Sequence, residues 1–165
     1  MSEVILQPLA DNPALGSKPL EWSIELWGQE NPWFSAEDWP SFYQRATRSD
    51  YQRWDIEGVD QEQIYIAISS GEVVGAIALV DFDDIEEFRH LKPWLAAFIV
   101  DPQRRATGLG SAMLAALEAK ARDFGITELH LWTADQKDFY LKRGYTAVVH
   151  RDYSTISIDV LHKVL

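Results

Sequence analysis

Phe98-Ile-Val-Asp-Pro-Gln-Arg-Arg-Ala-Thr-Gly-Leu-Gly-Ser111 decides the reading of this chain. The apolar run from Leu95 to Val100 predicts a buried strand, and Asp101-Pro102 breaks it. Arg104 and Arg105 come next, then Gly108 and Gly110 one residue apart. Beyond them Leu109, Met113, Leu117 and Ala121 recur at i, i+4 steps, with Phe124 closing the stripe, which predicts an amphipathic helix. Strand, glycine turn and helix start together make a geometry that holds a phosphate. The first N–H groups of a helix lack internal partners and carry partial positive charge. Glycines let a large anion approach the backbone, and Arg104 or Arg105 can add a full charge.

Two common nucleotide motifs fail at this turn. A dinucleotide fingerprint needs a third glycine where Met113 stands, and a P-loop needs a lysine where Ser111 follows Gly110. What remains, Arg105-Ala-Thr-Gly108-Leu-Gly110, resembles the Arg/Gln-x-x-Gly-x-Gly/Ala pyrophosphate loop of the GNAT superfamily, the N-acetyltransferases that bind acetyl-coenzyme A. Taken alone, the loop fits a plain helix start with a glycine turn equally well. The context separates the two readings. Asp135-Gln-Lys-Asp-Phe139-Tyr140-Leu-Lys-Arg-Gly144-Tyr145 resembles the family's second signature, Asn-x-x-Ala-x-x-Phe/Leu-Tyr-x-Lys-x-Gly-Phe, at the right spacing. Lys92-Pro93-Trp94-Leu95-Ala96 resembles a Pro-Trp-Leu opening of small bacterial members. The match is good from about residue 64 to 151 and holds only in outline before residue 60.

The rest of the chain reads consistently with that family. Val4 to Leu6 predicts a short strand, and Asp11 to Pro19 a loop. Leu20, Ile24 and Trp27 share a helical face, Asn31-Pro32 stops that helix, and Ser35-Ala-Glu-Asp38 opens a second one over Ala36 to Arg48. Gln63 to Ser69 and Val73 to Val80 predict a hairpin turning at Ser70-Gly71, with Gly75 marking a bulge or close approach. Asp81 to Leu91 is an acidic connection. Leu129 to Thr133, Tyr145 to His150 and Thr155 to Val164 predict three more strands, with a short helix after the first of them. The expectation is a single domain over residues 1–165 of the α/β (α+β) class. It has a mixed, mostly antiparallel sheet of roughly six to seven strands flanked by about four helices. A splayed strand pair would receive the cofactor, as the resemblance implies.

Composition bounds the function. The 165 residues carry a formal net charge of −11, which argues against nucleic acid as a partner and weakly favours cationic acceptors such as amines. With no cysteine there is no disulfide framework, thiolate metal site or cysteine nucleophile. The four histidines are scattered, without His-x-x-x-His or similar spacing, so no metal is expected. No apolar run approaches the roughly 20 residues of a membrane span, and Met1-Ser-Glu-Val-Ile-Leu is not a signal peptide, so a cytoplasmic protein is expected.

The resemblance implies roles for particular residues. Backbone groups of Phe98, Ile99 and Val100 would bind the pantetheine arm. Arg104, Arg105, Ala106, Thr107, Gly108, Leu109, Gly110 and Ser111 would form the pyrophosphate loop. Tyr140 matches the family's tyrosine, the general acid for the departing thiolate; a phenol is protonated at neutral pH. Asp135 stands where many members have Asn, and a carboxylate cannot donate as an amide does. The usual glutamate is missing from Trp94 to Val100, which leaves Asp81, Asp83 and Asp84, His90, or ordered water for proton removal. Asp81 and Asp83 would share a face if the strand before them persisted.

Seven tryptophans are many for this length, and Trp22, Trp27, Trp33, Trp39 and Trp54 crowd the first third, the wall of the acceptor cleft in this architecture. Spacing assigns Trp22 and Trp27 to packing and leaves Trp33, Trp39 and Trp54 for the pocket, with Trp33 and Trp94 as substrate-binding candidates. The acceptor would be a small-molecule amine or a peptide amino terminus. A non-catalytic acyl-coenzyme A sensor or interaction module on the same fold is the alternative. The terminal strand around Ile156 to Val164 offers an edge for pairing in a homodimer.

Overall fold

The computed structural model describes residues 3–29, 31–46 and 60–165. Seven strands form one sheet: β1 (Val4–Pro8), β2 (Glu62–Ser69), β3 (Glu72–Val80), β4 (Trp94–Val100), β5 (Glu128–Thr133), β6 (Thr146–Asp152) and β7 (Ser157–Val164). Among the described residues four α-helices accompany them: α1 (Ser17–Trp27), α2 (Asp38–Arg45), α3 (Leu109–Asp123) and α4 (Lys137–Leu141). The sheet order is β1-β2-β3-β4-β5-β7-β6, with every neighbouring pair antiparallel except β4 and β5. The expected single-domain class, mixed sheet and helix number are all present.

Sequence pattern explains each layer. On α3, Met113, Leu117 and Ala121 are fully buried and pack with Leu95, Leu79 and Ile77 of the sheet. The opposite face is covered by α1 and α2, where Trp39, Phe42 and Tyr43 pack with Ile64, Ile66 and Trp94. The start of α2 keeps half of the expected box: Asp38 Oδ2 reaches back to the Ser35 N–H at 2.7 Å. The expected loop over Asp11 to Pro19 is instead mostly short 3-10 turns leading into α1.

Two backbone features shape the sheet at its centre. Gly75 of β3 lies so close to β4 that an added Cβ would sit 2.3 Å from the Ile99 carbonyl oxygen, which is why that strand position carries no side chain. In β4, Ala76 pairs with Ile99 and Ala78 with Ala96, so Ala97 and Phe98 together oppose Ile77. This is a β-bulge, with Ala97 at φ 49°. Beyond it β4 leaves β5: their parallel register holds at Trp94 and His130 alone.

Three expectations need correction. β7 is hydrogen-bonded on both sides, to β5 and to β6, so Ile156 to Val164 is not a free edge and the sheet ends on β6. Trp39 is 5% exposed and Trp94 2% exposed, so both are core residues and neither is a pocket wall. Their rings face other rings: Trp39 stacks on Trp27 at 5.4 Å, and Trp94 packs against Phe88 and His130. Trp54 lies outside the described residues.

Candidate active site

The site forms where β4 and β5 part. Past the shared register at Trp94 and His130, β4 continues through Phe98, Ile99 and Val100, and β5 runs on into the turn before α4. After β4, Asp101 turns the chain, its Oδ1 accepting from the Gln103 N–H at 3.0 Å. Ala106 then adopts φ 61° and Gly108 φ 86°, the left-handed region that favours glycine, so Gly108 sets the first turn of α3. The N–H groups of the first α3 turn face outward without helical partners. At Gly110 an added Cβ would meet only ordinary contacts, 3.7 Å from the rings of Phe98 and Phe139. The protein's own packing therefore does not demand glycine there, whereas a large anion approaching the backbone does.

The two arginines separate into different roles. Arg104 is held by ion pairs to Glu72 and Asp101, which tie the loop to the β2–β3 hairpin. Arg105 is exposed and has no ion-pair partner among the described residues, so its charge is the one available to a phosphate. Thr107 Oγ donates back to the Arg104 carbonyl and steadies the turn. Arg143 is a residue that sequence reasoning missed. Its guanidinium lies 3.7 Å from the centre of the Phe139 ring and donates to the Phe139 carbonyl at 2.7 Å and to Ser111 Oγ at 3.1 Å. It thereby joins α4 to the first turn of α3.

Tyr140 of α4 is 7% exposed, its ring packed edge-on against Phe139 and Tyr145. Its hydroxyl has no hydrogen-bond partner among the described residues. Burial pushes the phenol's pKa up, and the nearby carboxylates of Asp135 and Asp83 push it further. Asp135 is exposed in the β5–α4 turn, which Thr133 Oγ organises by accepting from the Gln136 N–H at 2.9 Å.

The acidic connection divides its carboxylates. β3 ends at Val80, so Asp81 and Asp83 do not share a strand face. Asp81 is 3% exposed and takes the Gln61 N–H at 2.9 Å on Oδ2, a structural use. Asp83 and Asp84 are half-buried. Burial raises the Asp83 carboxyl well above its ordinary value, and Asp84 adds to that. Burial, then Asp38 and Glu62, raise Asp84 to about 7 against the opposing pull of Arg45. His90 is exposed in the loop before β4.

Trp33 is half-buried and meets Trp132 and Tyr153 edge-on at 5.5 and 5.0 Å. Trp132 also donates from Nε1 to the Asp83 carbonyl at 3.1 Å, placing this aromatic group beside the acidic pair. Trp132 and Tyr153 come from the second half of the chain, outside the tryptophan-rich third, so counting residues could not find them.

A model of the "Acetyltransferase (GNAT) family" matches residues 29–145. The chain belongs to the GNAT acetyltransferase family. No curated protein sequence matches this acetyltransferase. Its fold is shared by an aminoglycoside 6'-N-acetyltransferase complexed with coenzyme A, at 15% identity and a TM-score of 0.72, with 97% of this chain and 96% of that one covered. An aminoglycoside 6'-acetyltransferase type Ii gives 18% identity and a TM-score of 0.70 over 97% and 96% of the two chains. A spermidine N-acetyltransferase chimera with a Vibrio cholerae parent gives 14% and 0.66 over 99% and 96%. Among the described residues, no helix of this GNAT protein is long and apolar enough to cross a membrane.

Proposed function

We propose that this protein is an acetyl-coenzyme A-dependent N-acetyltransferase acting on the primary amine of a small cationic molecule, or on an amino terminus, by direct attack in a ternary complex. The observation that carries the reading is the parted β4–β5 pair, with an anion-ready helix start after β4 and the Tyr140 phenol, its ring buried, on the helix after β5. Bound acetyl-coenzyme A supplies an activated thioester. The chain's own groups do the rest. Arg105 and the amides from Ala106 to Ser111 hold the pyrophosphate. The main chain of Phe98 to Val100 pairs with the pantetheine arm and orients the carbonyl. Tyr140 keeps its proton at neutral pH and gives it to the sulfur as the bond breaks. Asp83, with Asp84 beside it, takes the proton from the acceptor ammonium. Their raised values suit a base working near neutrality.

The acceptor class rests on charge and aromatic surface. Asp84 feels Asp38 and Glu62 as well as Arg45, and it acts in turn on Asp83, so acidic groups outnumber the one arginine here. The adjoining face of Trp33, Trp132 and Tyr153 suits a cation. Two fold neighbours are named for aminoglycosides and spermidine, both polycationic amines.

The test is calorimetry with acetyl-coenzyme A, followed by an amine screen read by thiol release. Saturable binding that Gly108→Glu abolishes is expected, with turnover highest on polyamines. If no acyl-coenzyme A binds, the reading fails. The alternative, a non-catalytic acyl-coenzyme A module, draws on the lack of any carboxylate within β4. Turnover well above background hydrolysis excludes it.

A further inference from the structure

The end of β5 remote from Tyr140 carries a group of donors that no local spacing in the sequence announces. Glu128 and His130 are two apart on β5 and so share a face. His162 of β7 stands directly opposite His130 in the antiparallel ladder. One donor atom from each of the three lies within 4.8 Å of the others. His130 is 5% exposed, while the side chains of His162 and Glu128 are 27% and 48% exposed. The group is thus anchored in the core and open to solvent on one side.

We infer that Glu128, His130 and His162 form a binding site for a single divalent transition-metal ion of the zinc type, at the closed end of the β4–β5 pair. Two imidazoles and one carboxylate are the donor set such ions take, and a set of three leaves a position for water. The tautomer of His130 is fixed correctly. Its Nδ1 lies 3.3 Å from the Pro93 carbonyl oxygen, which can only accept, so Nδ1 carries the hydrogen and the neutral ring presents Nε2. A backbone carbonyl behind a ligand histidine is the usual orienting partner in metal sites. His162 Nε2 and Glu128 Oε2 are already 2.8 Å apart, and an ion between them displaces the shared hydrogen. With metal–ligand bonds of about 2.0–2.2 Å, donors sit roughly 3.4 Å apart, so a pair at the 4.8 Å limit must close by about 1.4 Å. The Glu128 and His162 side chains, both reached by solvent, can supply that by rotation.

Bound there, the ion would clamp β7 to β5 at the residue where β5 meets β4, since the His130 N–H donates to the same Pro93 carbonyl at 3.1 Å. It would be structural and remote from the transfer chemistry, so this inference does not rest on the proposed function.

The experiment uses untagged full-length protein titrated with Co²⁺, followed by visible absorption, and with Zn²⁺ in competition with a chromophoric chelator. One ion per chain is expected, with the intense bands of a low-coordinate cobalt centre and a rise in melting temperature on adding Zn²⁺. His162→Gln and Glu128→Gln change a half-buried and an exposed side chain and spare the buried His130. Each is expected to weaken binding by about tenfold or more. His150→Gln, altering the exposed histidine between Asp152 and Asp159, should leave binding unchanged. No saturable binding by the wild type, equal binding by both site variants, or loss confined to His150→Gln would each overturn the assignment.

Discussion

Tyr140→Phe separates chemistry from structure more cleanly than any other single change. The ring is 7% exposed and its neighbours are Phe139 at 5.1 Å and Tyr145 at 5.5 Å, contacts that phenylalanine keeps. The hydroxyl has no partner among the described residues, so its loss removes no protein hydrogen bond. The stability change should stay below about 1 kcal/mol. For a domain of this size that is less than roughly 4 °C in Tm. The kinetic effect should be far larger. Losing a general acid lowers kcat by about 10²–10⁴-fold, or roughly 3–5 kcal/mol in the barrier. The assay is steady-state thiol release at saturating cofactor and acceptor, beside a melting curve and a calorimetric cofactor titration. Because burial and two carboxylates hold the phenol above its ordinary pKa, Tyr140 should impose no alkaline limb below about pH 10. Wild-type kcat in the variant would refute the reasoning, since the thiolate would then leave without the phenol. A change confined to KM would make Tyr140 a positioning residue instead.

Other consequences are equally open to measurement. A base is active once deprotonated, so kcat/KM should fall as pH drops through the range set by the Asp83–Asp84 pair, near 7 for Asp84. Asp84→Asn should move that limb to lower pH by removing a charge that raises Asp83, and an unmoved limb would exclude the pair as base. Gly75→Ala places a Cβ 2.3 Å from the Ile99 oxygen and 2.8 Å from Met113 Cε. Such overpacking should lower stability by about 1–3 kcal/mol in denaturant titrations. Glu118→Ala removes the carboxylate that accepts from Tyr145 Oη at 2.9 Å and Lys163 Nζ at 3.0 Å. With Lys163 left on the Arg143 carbonyl and the face of the Tyr145 ring, a loss of up to about 3 kcal/mol is expected, read as an earlier urea midpoint.

What the sequence disclosed, and what it withheld, follows the range of the interactions involved. The α3 stripe, the Ser70-Gly71 hairpin and the Gly108 turn are local, and local periodicity or turn chemistry reads them directly. The place of β7 inside the sheet is decided by pairing with β5, a strand far away in sequence, so its own pattern could not show that it is no edge. The inward facing of Trp39 and Trp94 is hidden from the sequence for a related reason. A large ring on a short element has no periodicity to say which way it faces. Trp132, Tyr153, Arg143 and the Glu128–His130–His162 group all acquire their significance from residues brought across the sheet. β3 ends at Val80, three residues short of Asp83, so Asp81 and Asp83 share no strand face.

The bulge in β4 has the arithmetic of a spare residue. Up to Ala96 the side chains alternate between the two cores, with Trp94 and Ala96 on the α1–α2 side and Leu95 on the α3 side. Ala97 repeats the α1–α2 side, and from Phe98 the alternation resumes with its phase advanced by one. Excising Ala97 would therefore leave every remaining β4 side chain facing the core it faces now. A regular ladder with β3 could run unbroken to Val100, and the kink that turns β4 away from β5 would be gone. Such a deletion mutant would be a shorter chain with the same packing on both sides and no cleft: the scaffold of an acetyltransferase with its mouth sewn shut.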